Sequence, residues 1–255
     1  MSSRDLRLYA LSGLPLVQPG DDLVALLLEA LQRDELHLRD GDVLVLAQKI
    51  VSKSENRLVR LDTVSPSSRA LELARVVGKD PRLVELVLRE SNEVVRHRRD
   101  LLVVEHRTGF VMANAGIDMS NVQQEDGDTV LLLPADPDGS CAKLRRGLQD
   151  RIGADVGVII NDSHGRAWRN GAVGVAIGAA GLPALQDLRG HPDLFGRRLL
   201  VTEVGTADEV AAAASLLMGQ ADEGAPVVVV RGLSFDRRKG CAAELIRPRH
   251  MDMFR

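Results

Sequence analysis

Residues 155–181 read DVGVIINDSHGRAWRNGAVGVAIGAAG, and the fold reading starts from them. Val156 to Ile160 is an apolar run of the length that a buried strand uses. Polar residues follow at once, at Asn161, Asp162, Ser163, His164, Arg166 and Arg169. Glycines stand at 165, 171, 174, 178 and 181, with the chain's only tryptophan, Trp168, among them. A strand that ends in Asp-Ser and turns into a glycine-dense segment is suited to hold a metal and a phosphate. The same glycines also suit a second role, letting a strand or helix pack closely against its neighbours.

Outward from this stretch, other apolar runs read as strands: residues 7–10, 42–47, 101–105, 109–113, 129–133, 198–204 and 227–230. Helical patterns lie between them. Asp21 or Asp22 caps residues 23–32, and Ser65 caps a helix from Pro66. Asp80 caps a helix that opens with Pro81, where the missing N–H costs nothing. Ser140 caps a helix carrying Lys143, Arg145 and Arg146. Thr206 caps the alanine-rich residues 207–218, which Gly219 ends in a left-handed conformation. The last twenty residues read as a charged surface tail. The order of elements is mixed and not strictly βαβ, so the fold class is α+β and not a doubly wound sheet. No fixed-period repeat and no low-complexity linker marks a domain boundary.

Composition narrows the function classes. The 255 residues are 45% hydrophobic and 27% charged, ordinary for a globular chain able to bury a core without staples. Aromatic content of 2% argues against stacked-base recognition, and a net charge of -3 provides no basic field for nucleic acid. Cys141 and Cys241 form no CxxC motif and are read as reduced thiols in a cytoplasmic protein. No secretory leader is visible, and no run approaches the roughly 18 apolar residues of a membrane span.

Four polar segments lie beside predicted strands and read as loops. Lys49 and Lys53, with Gln48, follow the strand at 42–47. Asp118 and Asn121 follow the hairpin. Asp162 and Ser163 follow the central strand. Gln220, Asp222 and Glu223 follow the helix ended by Gly219. Magnesium and manganese take hard oxygen ligands, often one or two carboxylates beside substrate phosphates. Asp118 and Asp162 have the carboxylates, and Ser163 and Gln220 the neutral oxygens. Lysines answer phosphate as point charges, and Asn121 has the groups to read a base or ribose. Each residue also has an ordinary structural role as a turn, cap or solvated face. There is no GxSxG elbow for a hydrolase triad around His164, and no GxxxxGK[ST] phosphate loop.

The chain resembles the coenzyme F420-0:L-glutamate ligase family, the γ-glutamyl ligases of F420 biosynthesis. The carrying segments are GLPLVQPGDDL (13–23), DVLVLAQKIVSKSEN (42–56), GFVMANAGIDMSNV (109–122), LLPADPDGSCAKLR (132–145), NDSHGRAWRNGAVGVAIGAAG (161–181) and LLMGQADEGAPVVVVRG (216–232). The resemblance implies a GTP-dependent ligase. It would join L-glutamate to F420-0 and then add a γ-linked glutamate, through an acyl phosphate. It implies two divalent sites for Mg2+ or Mn2+, and K+. Carried over by motif, Asp118 and Asp162 hold the first metal, and Ser163 and Gln220 the second. Asp118, Asp162 and Lys53 form the catalytic set. The nucleotide contacts are Gly13, Leu14, Pro15, Leu16, Gln48, Lys49, Lys53, Asn121, Met218, Gly219, Gln220, Ala221, Asp222, Glu223, Gly224 and Ala225. A two-lobed, V-shaped fold is implied, pairing as a homodimer that helps form the site groove. The nitroreductase-like second domain of some relatives is not expected within residues 1–255. Two other classes also fit the residues themselves: a metal-dependent nucleotide or phosphate-ester hydrolase, and a non-catalytic nucleotide-binding dimer.

Overall fold

A run such as Val43-Leu44-Val45-Leu46 has no polar face, so a strand made from it must be covered on both sides. The computed structural model, which describes residues 5–120, 128–235 and 240–254, provides that cover. In chain order the elements are β1 (Arg7–Ala10), α1 (Leu23–Arg33), β2 (Val43–Ala47), α2 (Gln48–Ser54), β3 (Leu58–Arg60), α3 (Ser68–Val77), α4 (Pro81–Arg89), β4 (Ser91–Arg98), β5 (Leu101–His106), β6 (Val111–Ala113), β7 (Thr129–Leu131), α5 (Pro137–Ile152), β8 (Gly157–Arg166), β9 (Arg169–Ala180), β10 (Gln186–Asp187), β11 (Glu203–Val204), α6 (Thr206–Met218) and β12 (Val227–Arg231). The α+β class is as expected.

The main sheet runs β1-β12-β2-β8-β9. Its pairs are antiparallel except β2 with β8, which are parallel. Leu44, Leu46, Val158, Ile160, Val227 and Val229 share one core with Leu27 of α1 and Leu148 of α5. Val43, Val45, Ile159, Val228 and Val230 share the opposite core with Ala207, Val210, Ala211 and Ala214 of α6. Period-two alternation thus sends consecutive apolar residues to two different helical layers. A smaller unit packs α3 and α4 on the β4-β5-β6 sheet, through Ala70, Val77, Val84, Val87, Leu102 and Val104. β3 pairs with β7 beside it.

Several local readings are corrected. The central strand does not end at Asp-Ser; β8 continues to Arg166, and the glycine-dense segment is itself the strand β9. Lys49 and Lys53 ride on α2 and not on a loop. Ser67, not Ser65, caps α3 by accepting from the Ala70 N–H. Asp136, not Ser140, caps α5 by accepting from the Gly139 N–H, which leaves Ser140 inside the helix. Thr206 is the first residue of α6 and not its cap. Gly219 ends α6 at φ 70° as the glycine argument requires, but its ψ of -172° lies outside the left-handed helical well. Residues 198–204 form a strand only at Glu203–Val204. The C-terminal segment is not all surface, because Ala242 is buried and its N–H donates to Asp138 Oδ1 at 2.8 Å.

β9 is the sheet edge, where unpaired N–H groups invite foreign strands. Carboxylates take up two of them. Ala176 N donates to Asp208 Oδ1 at 2.9 Å, and Ala179 N to Asp138 Oδ1 at 2.8 Å. Burial pushes the Asp208 carboxyl up from its ordinary value, against the opposing hydrogen bond from Ala176. The helices can come this close because β9 lacks side chains where they touch it. A Cβ at Gly178 would lie 2.6 Å from the Pro137 carbonyl oxygen, and one at Gly174 would lie 2.5 Å from the Ala211 carbonyl oxygen. The packing role of these glycines is therefore real. Gly178→Ala is expected to destabilise the chain by about 1–3 kcal/mol, since backbone of α5 must retreat. Urea unfolding checks this; an unchanged midpoint would mean that α5 is not seated as described.

Candidate functional site

Sheet topology brings four distant segments to one edge. β2 and β8 are parallel, with Ala47 opposite Asn161, so the residues leaving both strands emerge together. β12 runs against β2, with Val227 opposite Leu46, so the segment entering β12 arrives at that same edge. The Ala47 N–H donates to the Pro226 carbonyl at 2.8 Å and closes this junction. β1 runs against β12 and exits there as well, with Leu11 N donating to Val227 O at 2.9 Å.

These exits surround a cavity of about 710 Å³. Leu14, Pro15 and Leu16 line one wall, and Gln48, Lys49 and Lys53 of α2 another. Asp162 and Ser163 contribute from β8, and residues 218–225 from the loop after α6. The size lies within the range of small-molecule sites. Gly13 does not line the cavity; its positive φ of 61° turns the chain into the wall, and Arg33 packs against it. Asn121 lies outside the described residues.

Asp118 reaches the cavity wall through Lys49. Lys49 Nζ lies 2.8 Å from Asp118 Oδ2 and donates to Ser120 Oγ at 2.6 Å. The Ser120 N–H donates to Asp118 Oδ1 at 2.7 Å. Burial by itself would raise the Asp118 carboxyl, but hydrogen bonds from Lys49 and Ser120 outweigh it and hold the carboxyl below its usual value. Asp162 Oδ2 lies 3.1 Å from His164 Nε2. Ser163 Oγ donates to Gln220 Oε1 at 2.8 Å, which joins β8 to the loop after α6.

The sequence reading named Gln48 as a nucleotide contact but missed Asn161, which lines the same cavity. Asn161 and Gln48 are buried, and Asn161 Oδ1 and Gln48 Nε2 have no hydrogen-bond partner among the described residues. Gln48 Oε1 accepts from Ser52 Oγ at 2.8 Å, and Asn161 Nδ2 donates to Ser215 Oγ at 3.1 Å, so only one end of each amide is used. An unpaired buried polar atom costs about 1–3 kcal/mol, so two of them bordering one cavity mark a place for a polar ligand. The signal for Asn161 in the sequence was position: it is the first strongly polar residue after the apolar run ending at Ile160.

The donor set fits a hard divalent cation. Asp118, Asp162, Ser163 and Gln220 present only oxygen ligands on these side-chain ends. Among the described residues no group of three or more His, Cys, Asp or Glu forms a closed metal cage. Magnesium and manganese keep waters and phosphate oxygens among their ligands, so a few side-chain oxygens are enough to hold them.

A family model for F420-0:Gamma-glutamyl ligase matches residues 13–232. The chain is 49% identical to the Coenzyme F420:L-glutamate ligase of Methanothermobacter thermautotrophicus over 98% of this chain and 99% of that one. It is 49% identical to the enzyme of that name from Methanopyrus kandleri, over 94% of this chain and 93% of that one. For the Archaeoglobus fulgidus enzyme the identity is 44%, over 98% of this chain and 96% of that one. The chain belongs to the F420-0:gamma-glutamyl ligase family. Among the described residues no helix is long and apolar enough to cross a membrane.

Lys53 gives this site a titratable reporter. Burial, then repulsion from Lys49, hold its ammonium pKa below the ordinary 10.5. The unfolded chain therefore binds this proton more tightly, and the group's contribution to stability improves as pH rises through its depressed folded value towards 10.5. Bound polyphosphate favours the charged form and is expected to raise the Lys53 pKa, as is Lys49→Met. Lysine side-chain NMR titration reads both; no upward shift with triphosphate would place the anion elsewhere.

Proposed function

We propose that this protein is a GTP-dependent ligase that joins L-glutamate to coenzyme F420-0 and then adds a second glutamate through the γ-carboxylate of the first. The observation that carries the proposal is the convergence of Lys49, Lys53, Asp162, Ser163 and Gln220 on one cavity. Membership of the family, and relatives named for this reaction over nearly their whole length, support the substrates.

The chemistry needs positioning and charge control more than a protein nucleophile. Leu14, Pro15, Leu16 and the 218–225 loop hold the nucleotide. Lys49 and Lys53 offset its phosphate charge. A carboxylate oxygen of F420-0 attacks the γ-phosphorus, forming an acyl phosphate and releasing GDP. The glutamate amine then attacks the acyl carbon, loses a proton, and inorganic phosphate leaves. Asp118 and Asp162 would hold one divalent cation, and Ser163 and Gln220 a second. Bound there, Mg2+ or Mn2+ supplies charge neutralisation at the phosphoryl oxygens. His164 orients the Asp162 carboxylate through its 3.1 Å contact. K+ completes the proposed ion set. A cytoplasmic homodimer is part of the same reading. It is supported by the exposed apolar side chains Leu194, Phe195, Leu200 and Val201 between β10 and β11.

Asp162→Asn is expected to lower turnover at least about 100-fold, the scale at which a single charge-positioning group counts. Its thermal unfolding should match the parent chain, since Asp162 borders a cavity. In the parent chain GDP release should require both F420-0 and glutamate. Equal GDP release without them, with no glutamylated product by mass, would make the protein a nucleotide hydrolase instead.

A further inference from the structure

The tip of the β8–β9 hairpin lies outside the cavity and has no role in the chemistry above. Arg166 pairs with Arg169 across a two-residue connection of Ala167 and Trp168. Trp168 adopts φ 63°, an uncommon conformation for a bulky side chain, and the residue is 88% exposed. Burying that surface within the chain would be favourable, so its exposure calls for an occupant. Phe254 lies beside it, with ring centroids 6.2 Å apart and planes at 52°. Arg247 lies 6.0 Å over the Phe254 ring and also lines a second cavity of about 350 Å³.

Charge accompanies the ring. The Arg166 guanidinium donates to the carbonyls of Asn170 and Gly171, at 3.4 and 3.3 Å, and these neutral acceptors leave its charge uncompensated. Neither Arg166 nor Arg169 has a carboxylate within ion-pair distance among the described residues. Two cations flank an exposed indole on a chain whose net charge is -3. This is the chemistry of a flat aromatic ligand carrying an anion: the ring stacks on the indole and the anion meets guanidinium.

Position ties the tip to the cavity. Asp162 lines the cavity, and Arg166 lies four residues further along the same strand. At the rise of an extended chain that separation is about 13 Å. One long ligand can therefore place its ring at the tip and its far end beside Asp162.

We propose that Trp168, with Arg166 and Arg169, forms the binding subsite for the aromatic ring and phosphate of the larger substrate, holding it while its terminal carboxylate reacts in the cavity. This rests on the proposed ligase reading, under which the larger substrate is F420-0, a deazaflavin ring on a phosphate-bearing tail that ends in a carboxylate.

Trp168 is the chain's only tryptophan, so indole fluorescence reports this position alone. Two measurements on the full chain decide the matter. In steady-state kinetics, Trp168→Leu is expected to raise the KM for F420-0 about tenfold, the scale of one lost aromatic stack, with the KM for GTP and for glutamate unchanged. Trp168→Phe should recover most of that loss, and Arg166→Gln with Arg169→Gln should raise the same KM. In the parent chain, acrylamide quenching of Trp168 should weaken when F420-0 binds and not when GTP binds.

An unchanged KM for F420-0 in Trp168→Leu, together with unchanged acrylamide access, would overturn the proposal. So would a Trp168→Leu variant that loses self-association in sedimentation while keeping its KM for F420-0, which would assign the face to a second copy of the chain. If the parent chain adds no glutamate, the ligase reading fails; acrylamide protection by F420-0 still decides the subsite by itself.

Discussion

The parallel pairing of β2 with β8 is the constraint on which the site depends. Parallel strands release their C-terminal ends at one edge, whereas antiparallel neighbours would send the residues after β2 and β8 to opposite ends of the sheet. With Ala47 opposite Asn161, α2 begins beside the polar half of β8. The antiparallel β12 and β1 then bring an entering loop and an exiting segment to the same place. Both faces of this pairing are covered by helices, so its register is pinned by side chains that alternate between two cores. A slip of one residue would exchange the faces of Val45 and Leu46 and would carry Asp162 away from the cavity.

Polar chemistry at that edge is organised by charge and by incomplete satisfaction. Lys49 holds Asp118, Ser120 braces it, and Lys53 is pressed towards neutrality by burial and by Lys49. Asn161 and Gln48 each keep one amide end unused. A fold selected only for stability would pair or remove such groups. Here they border a cavity whose walls come from four separate parts of the chain.

Much of this was legible in the sequence, for identifiable reasons. The runs at 42–47 and 227–230 could be read as strands, found at Val43–Ala47 and Val227–Arg231, because burial on both faces suits four consecutive large aliphatics. A cap at Asp21 or Asp22, and one at Asp80, could be read because these aspartates precede periodic apolar patterns; the structure selects Asp22 for the first, and Pro81 marks the second. What failed was punctuation. Residues 161–166 look like a turn by composition, yet they are strand, because pairing with β9 supplies the hydrogen bonds that local propensity would not. β4 was missed because its residues, SNEVVRHR, are mostly polar and half-exposed, and only the neighbouring β5 makes them a strand. Ser65 and Ser140 lost their capping roles to Ser67 and Asp136, a displacement that side-chain type alone does not resolve. The candidate site residues could be named by motif, but their convergence could not, since it follows from strand order.

The central claim is that the cavity activates a carboxylate by phosphoryl transfer. Its most direct test is isotopic. F420-0 labelled with 18O in its terminal carboxylate is incubated with glutamate, GTP and magnesium, and the inorganic phosphate released is analysed by mass. An acyl phosphate leaves the former carboxylate oxygen on phosphorus, so each phosphate formed with a new amide bond should contain one 18O. Unlabelled phosphate accompanying amide formation would show that the carboxylate is not the acceptor of the phosphoryl group, and would contradict the account.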